Sequence, residues 1–426
     1  MNQPIPVNSR LQTPKGLRVH IGFFGRRNVG KSSLINALTN QSISIVSDTP
    51  GTTTDPVEKA AELAPIGPVV FVDTAGVDDI GSLGKQRVQR SLSVLAWVDV
   101  ALLITDAESL GPYEKEILEK AKITNTPVIL VFNKHDTRVD APVIASVGDT
   151  AVVQTVLTSA VHKTGLDDLR QAIIRVVQTN TEPDKPMMEG ILRAADNVIL
   201  VTPIDTGAPK GRLILPQVQA IREILDSDAT CTVVRENRVE DALRNAKIKP
   251  AFVMTDSQVV MKIHSVVPKD IPLTTFSIQM ADCKCDLVEM ARGAAMLEFL
   301  KPGDKVMICE TCSHHPQADD IGRKKIPRWI GQKIGGELDI DVVVGKDFPA
   351  DLTPYKLIIQ CGGCVVTRRH MLSRLYAAKA QGVPMTNYGV AISYLQGVLE
   401  RALELHPKAL EAFQEARNQY LRAEKP

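Results

Sequence analysis

The sequence predicts an α/β protein of three domains, and three observations carry that expectation. Short apolar runs alternate with stretches of helical spacing in each part of the chain, the pattern of mainly parallel sheets covered by helices. A charged, proline-bearing segment, Thr181-Glu182-Pro183-Asp184-Lys185-Pro186, interrupts that pattern as a linker would. The length of 426 residues corresponds to about three domains at ~150 residues each. The expected boundaries are residues 1–180, 181–270 and 271–426.

Composition limits the function classes. Fifty basic and forty-nine acidic side chains leave a net charge of +1, so bulk charge gives no case for nucleic acid or an anionic membrane. Residues 1–15 are polar and hold three prolines, without the apolar core of a signal peptide. Nowhere do about 18 uncharged apolar residues follow one another, so no membrane span is expected. Seven cysteines in a chain this long do not form a secreted disulfide framework, and a cytoplasmic location is expected.

In the first domain, Val19 to Phe24 reads as a strand that runs directly into Gly25-Arg26-Arg27-Asn28-Val29-Gly30-Lys31-Ser32, after which Leu34, Ile35 and Leu38 have helical spacing. Strand, GxxxxGK[ST] and helix in that order make a P-loop. Its glycines, Gly25 and Gly30, let backbone amides converge on phosphates, and the helix start, including Ser33, adds positive potential. Lys31 pairs with the outer phosphates and Ser32 holds magnesium. A second apolar run, Val69 to Val72, ends at Asp73-Thr74-Ala75-Gly76, placing a carboxylate near the magnesium shell and the Gly76 amide near the terminal phosphate. Between them, Thr49 to Asp55 reads as a polar switch, with Thr53 the candidate to meet magnesium.

The strand Val128 to Phe132 ends in Asn133-Lys134-His135-Asp136. The Asp136 carboxylate can accept two donors from a guanine edge, whereas adenine would leave it unpaired, which selects GTP over ATP. Thr158-Ser159-Ala160 follows the next strand and closes over the base, with Ser159 and Ala160 as the contacts. Together these five elements resemble the translation-factor-like GTPases of the Era and TrmE kind. Val77 stands where many signalling GTPases carry a water-orienting glutamine, so hydrolysis is expected to be slow without help. Asn28 resembles the potassium-coordinating asparagine of the TrmE-like group; Arg26 and Arg27 are alternative sources of that charge or plain solvated loop residues.

The middle region has an apolar strand at Val198 to Val201, a helix from about Gln217 to Leu225, and strands near Thr232 to Val234 and Phe252 to Thr255. It shows no catalytic constellation, and Cys231 reads as a buried thiol. A small α/β unit without chemistry suits assembly, so homodimerisation is expected through it. The last region is expected to be a doubly wound sheet, with strands at Lys305 to Ile308, Ile340 to Val344, Lys356 to Ile359 and Pro384 to Thr386. Helices are expected at Leu287 to Leu300, Arg368 to Gln381 and Tyr394 to Leu405. The run Arg323-Lys324-Lys325 with Arg328 reads as a phosphate contact or a solvated helix face, and Cys283-Lys284-Cys285 as a metal clip or as free thiols.

Four of the seven cysteines fall in two short pieces, Cys309-Glu310-Thr311-Cys312-Ser313-His314-His315 and Cys361-Gly362-Gly363-Cys364. Each follows a predicted strand, at the sheet edge where open parallel sheets bind ligands. Ligand chemistry leaves three readings: buried reduced cysteines, a structural zinc site on Cys309, Cys312, Cys361 and Cys364, and an iron-sulfur cluster on three or four of them.

The combination resembles the HydF family, GTPases of FeFe-hydrogenase maturation, whose order is a GTPase domain, a dimerisation domain and a cluster domain. The family signature CxH followed by HCxxC fits Cys312-Ser313-His314 and Cys361-Gly362-Gly363-Cys364, except that Gln360 stands at the second histidine. The resemblance implies a 4Fe-4S cluster on Cys312, Cys361 and Cys364, with Cys309, His314, His315, Asp319 or solvent at the fourth iron. It also implies a carried di-iron precursor, the maturases HydE and HydG as partners, and the apo FeFe-hydrogenase as recipient. An RNA-modification or ribosome-assembly GTPase with a structural zinc site is the alternative.

Overall fold

The computed structural model describes residues 15–42, 47–48, 56–75, 82–106, 110–134, 136, 151–180, 185–204, 213–311 and 320–423. The expected contributions of Thr53, Gly76, Val77, Cys312, His314, His315 and Asp319 lie outside them, as do the switch Thr49 to Asp55 and the linker residues 181–184. The chain divides into two compact units between Pro183 and Asp184. Among the described residues no helix is long and apolar enough to cross a membrane.

The first unit is built on seven strands: β1 (Val19–Phe24), β2 (Ser47–Asp48), β3 (Val57–Leu63), β4 (Gly67–Asp73), β5 (Val100–Thr105), β6 (Val128–Phe132) and β7 (Val152–Leu157). They lie in the order β2-β3-β4-β1-β5-β6-β7. From β4 to β7 every pairing is parallel, while β3 runs antiparallel to β4 and to β2. Side chains alternate across the central strands. Ile21, Phe71, Leu102 and Val131 enter one core, and Phe24, Val72, Leu103 and Leu130 enter the other. The two-residue period therefore requires apolar positions on both faces, which explains the unbroken apolar runs in the sequence.

The second unit holds two sheets. The first contains β8 (Asn197–Val201), β9 (Thr230–Val234), β10 (Phe252–Thr255) and β11 (Leu273–Thr275) in the order β11-β10-β8-β9. The second contains β12 (Lys305–Glu310), β13 (Asp339–Val344), β14 (Leu357–Gln360) and β15 (Met385–Asn387) in the order β13-β12-β14-β15. All pairings in both sheets are parallel. Ile308 and Ile359 enter one core of the second sheet while Met307 and Ile358 enter the other, so helices cover both faces as a doubly wound sheet demands. The molecule thus has three α/β domains, two of them within one compact unit.

Several elements differ from their expected form. The helix expected over Leu287 to Leu300 is Leu287–Ala294 followed by a 3-10 turn, Ala295–Glu298. The one expected over Tyr394 to Leu405 is two helices, Tyr388–Leu395 and Leu399–Ala402. Gly397, with φ +73°, ends the first of these. Its N–H donates to Tyr394 O while the Val398 N–H donates to Ser393 O, the paired bonds of a Schellman stop. A long helix, Pro407–Ala423, follows and had no counterpart in the sequence reading.

Cys231 is half-buried on the edge strand β9, although burial still pushes its thiol up. Cys283 and Cys285 are buried in different cores, so they do not form a clip, and burial pushes the Cys285 thiol up to about 12. In the run Arg323-Lys324-Lys325 with Arg328, Lys324 and Arg328 are exposed as a solvated face would be, while the half-buried Arg323 clamps Glu310 through Nε and Nη2 at 2.7–3.2 Å. Lys325 donates to Gln258 Oε1 at 2.9 Å.

Candidate functional sites

The carboxyl ends of β1, β4, β6 and β7 carry the P-loop, Asp73, Asn133 and the Thr158-Ser159-Ala160 loop. Parallel strands bring these four ends to one edge, which is how segments 130 residues apart meet. Gly25, at φ +148°, has the Ile104 carbonyl where a Cβ would project, and Gly30, at φ +95°, has the Asn133 side chain there. Both positions therefore exclude other residues. Lys31 is buried, its Nζ donating to Gly25 O at 2.9 Å and Arg26 O at 2.8 Å. At the start of the helix Lys31–Ser42, Ser32 and Ser33 are exposed, with amides that have no helical acceptor four residues back. Asn28 is exposed with φ +64°, the left-handed region that asparagine tolerates.

Ser32 Oγ donates to Asp73 Oδ2 at 2.7 Å. The other oxygen, Asp73 Oδ1, is buried and has no hydrogen-bond partner among the described residues. Burial raises the Asp73 pKa, against the Ser32 hydrogen bond and the positive charges of Lys31 and Lys59. A hydroxyl beside a carboxylate with one unsatisfied buried oxygen fits a hard divalent cation such as magnesium, which would supply the missing positive partner.

Asn133, only 3% exposed, joins the site's two halves. Its Nδ2 donates to Val29 O in the P-loop at 2.8 Å, and its Oδ1 accepts from Thr158 Oγ1 and the Ala160 N–H, each at 3.2 Å. Ser159 is fully buried and its Oγ accepts from the His162 N–H at 3.2 Å. Lys134 takes φ +61° and its Nζ donates to Asp106 Oδ2 at 2.9 Å. The Asp136 carboxylate lies 3.4 Å from His162 Nε2.

Sequence reasoning missed Glu114. This residue is 1% exposed and accepts from Arg26 Nη2 at 2.7 Å and from the Gly111 N–H at 2.9 Å. Arg26 is therefore ion-paired as well as partly exposed, while Arg27 is exposed. The pair spans 88 residues of sequence, and a lone glutamate at the start of a predicted helix gives no signal of it.

In the second unit, β12 and β14 are adjacent, with Cys309 opposite Gln360. Cys361 continues from Gln360 past the strand end, its N–H bonded to Cys309 O at 2.9 Å. The Cys361 sulfur is the focus of several groups. The Thr311 N–H donates to it at 3.2 Å, Thr311 Oγ1 lies 3.0 Å away, and Gln360 Nε2 donates at 3.4 Å. A sulfur so surrounded suits the anionic form that a metal ligand takes. Gly363, at φ +66°, turns the chain before Cys364. Burial pushes the Cys309 thiol up to about 12 and the Cys364 thiol up to about 11, so both stay protonated at neutral pH until a cation displaces the proton. Thiols are the donors that iron-sulfur and zinc groups use, but among the described residues no three His, Cys, Asp or Glu side chains stand together as a metal-holding group, and Cys312 lies outside those residues.

Residues 187–285 match the family described as the hydrogen maturase F dimerization domain, and residues 288–405 match the hydrogen maturase F tetramerization domain. Residues 20–134 match the family described as 50S ribosome-binding GTPase. Among curated proteins, the tRNA modification GTPase MnmE of Trichormus variabilis is 38% identical over 209 residues, 48% of this chain and 42% of that protein. GTPase Era of Carboxydothermus hydrogenoformans is 34% identical over 163 residues, covering 37% of this chain and 54% of its own length. The chain therefore spans about half or less of the length of these relatives. With a P-loop GTPase domain followed by both hydrogen maturase F modules in order, the chain belongs to the hydrogen maturase F family.

Proposed function

We propose that the first domain binds and hydrolyses GTP, and that the last holds a 4Fe-4S cluster on Cys312, Cys361 and Cys364 from which a di-iron precursor is delivered to an apo FeFe-hydrogenase. The observation that carries this reading is the convergence of donors on the Cys361 sulfur at a parallel-sheet edge, within the part of the chain that matches hydrogen maturase F. The domains run over 1–180, 181–270 and 271–426, with HydE and HydG as the supplying partners and neither membrane nor nucleic acid involved.

In the nucleotide site, Lys31 and the amides of Ser32 and Ser33 take the phosphates, which draws Lys31 Nζ from its loop carbonyls. Ser32 and Thr53 hold magnesium with Asp73 in its shell, the Gly76 amide meets the terminal phosphate, and Asn28 accepts potassium. Asp136 leaves His162 to receive the guanine edge, and Ser159 and Ala160 cover the base. Hydrolysis is slow and stimulated by potassium, because valine at position 77 cannot orient water. A bound cluster supplies an iron able to take an exogenous ligand, with Cys309, His314, His315, Asp319 or solvent at that position before loading.

Two exposed sheet edges support self-association as a homodimer and beyond. β9 closes one side of its sheet with Thr230, Thr232 and Val233 exposed, and β13 closes the other sheet with Val342 and Val344 exposed. Open edges rich in β-branched residues are templates for pairing with another chain.

Anaerobic reconstitution with iron and sulfide tests the reading. A brown protein whose charge-transfer band is lost in Cys361→Ser is expected. A colourless protein with stoichiometric zinc and salt-sensitive RNA retention would replace it with an RNA-modification or ribosome-assembly GTPase.

A further inference from the structure

The residue at the family's second histidine position here is Gln360, and it is fully buried. Its side chain is committed at both ends. Nε2 donates to Cys309 O and to the Cys361 sulfur, each at 3.4 Å, and Oε1 accepts from Arg374 Nη1 at 2.9 Å. A carboxamide engaged at both nitrogen and oxygen in this way is held in one orientation, with its nitrogen turned to the sulfur and one oxygen lone pair taken by the arginine.

Arg374 lies on the helix Arg368–Ala380 and is 2% exposed. Its Nη2 donates to Gly345 O at 2.7 Å and Asp347 O at 3.1 Å, and the guanidinium sits 5.2 Å from the centroid of the Phe348 ring. Nε is buried with no hydrogen-bond partner among the described residues. Among the described residues its hydrogen-bond acceptors are backbone carbonyls and the neutral Gln360; the Asp347 carboxylate acts only at longer range. A buried cation with only neutral acceptors is costly unless an anion stands near it. Burial disfavours the charged guanidinium, and the sulfurs of Cys309 and Cys361, once ionised on a metal, would act the other way.

We propose that Arg374 and Gln360 form a buried relay that orients the Cys361 sulfur and places a fixed positive charge behind the metal site, in the position where the family uses a histidine. Both are positioning residues: neither touches iron, and each acts through Cys361. The relay explains how this chain dispenses with the histidine. The glutamine donates a hydrogen bond to sulfur, and the arginine behind it supplies a charge that an imidazole would have to gain a proton to offer. Net charge and hydrogen bonds to sulfur are the levers that set the potential of an iron-sulfur group, so both should hold it high.

This inference rests on the cluster reading, and the experiment separates the two. The full-length protein and its Gln360→Leu, Arg374→Met and Arg374→Lys variants are reconstituted anaerobically; reduction potential, the electron paramagnetic resonance spectrum of the reduced state, and cluster loss to a ferrous chelator are measured. The expected result is a lowered potential and an altered spectrum in Gln360→Leu and Arg374→Met. Loss to the chelator should become roughly ten- to a hundredfold faster, the usual effect of removing a partner that orients a metal ligand. Arg374→Lys, which keeps the charge, should recover most of the potential but not the slow loss. If Arg374→Met fails to fold, Gln360→Leu carries the test, since it removes only the relay's hydrogen bonds. A wild-type protein that takes up no cluster sinks the cluster reading. A wild type that loads while the variants keep its potential, spectrum and loss rate overturns the relay.

Discussion

Replacing Asn133 by alanine should separate the two halves of the nucleotide site. The side chain makes three buried hydrogen bonds, to Val29 O, Thr158 Oγ1 and the Ala160 N–H. At about 1 kcal/mol net for each, their loss costs about 3 kcal/mol, and the Val29 carbonyl and Ala160 amide are left unpaired. For a domain of this size that lowers the melting transition by roughly 6–12 °C. The transition is followed in nucleotide-free protein by the fluorescence of Trp97, a core residue of the first unit, and binding of a fluorescent guanine nucleotide is measured in parallel. Asn133→Asp keeps the acceptor but sets a carboxylate against the Val29 carbonyl, so it should recover only part of the loss. A transition unmoved to within ~1 °C in Asn133→Ala would refute the argument, because three buried bonds cannot vanish without cost. Weaker nucleotide binding alone would show that Asn133 serves the ligand and not the loops.

Three other outcomes follow from the same reasoning. Gly111→Ala places a methyl group where Arg26 Nη2 lies, expelling the arginine from Glu114; a loss of about 1–3 kcal/mol in chemical denaturation is expected, and none in the Gly111→Ala, Arg26→Ala, Glu114→Leu triple variant beyond what those replacements cost themselves. Burial lowers the His406 pKa below its ordinary value of 6.5, and burial with the positive charge of Arg401 does the same for His264. Unfolded chains therefore bind more protons than folded ones below 6.5, so stability falls as pH drops through that value and levels off beneath the lowered folded pKa; His406→Gln should shrink the slope of melting temperature against pH. Val233→Lys puts a charge on the exposed edge of β9 and should shift the protein toward smaller species in sedimentation velocity, while an unchanged distribution would rule that edge out as an interface.

The P-loop was legible because its chemistry is local. Gly25, Gly30, Lys31 and Ser32 take their conformation from neighbours in sequence, and the strand before and helix after them follow from hydrophobic period. Asp73 and Asn133 were also readable, since each stands directly after an apolar strand and parallel strands deliver their carboxyl ends to one edge. The antiparallel strand β3 was not, because its half-buried VEKAAEL pattern is shared with an exposed helix. The helix stop at Gly397 was missed for a similar reason: apolar period continues through Leu403 and only the left-handed turn breaks it.

What the chain's order of residues determined unaided was most of the parallel strands, the nucleotide motifs and the presence of sulfur at two strand ends, all of them properties of short windows. What tertiary structure alone decided was which polar side chains face one another. Arg26 with Glu114, and Gln360 with Arg374, are partners that depend on register and on helix placement across a sheet. Neither charge nor periodicity encodes such pairings, because the energy that selects them appears only when burial removes water from both groups at once.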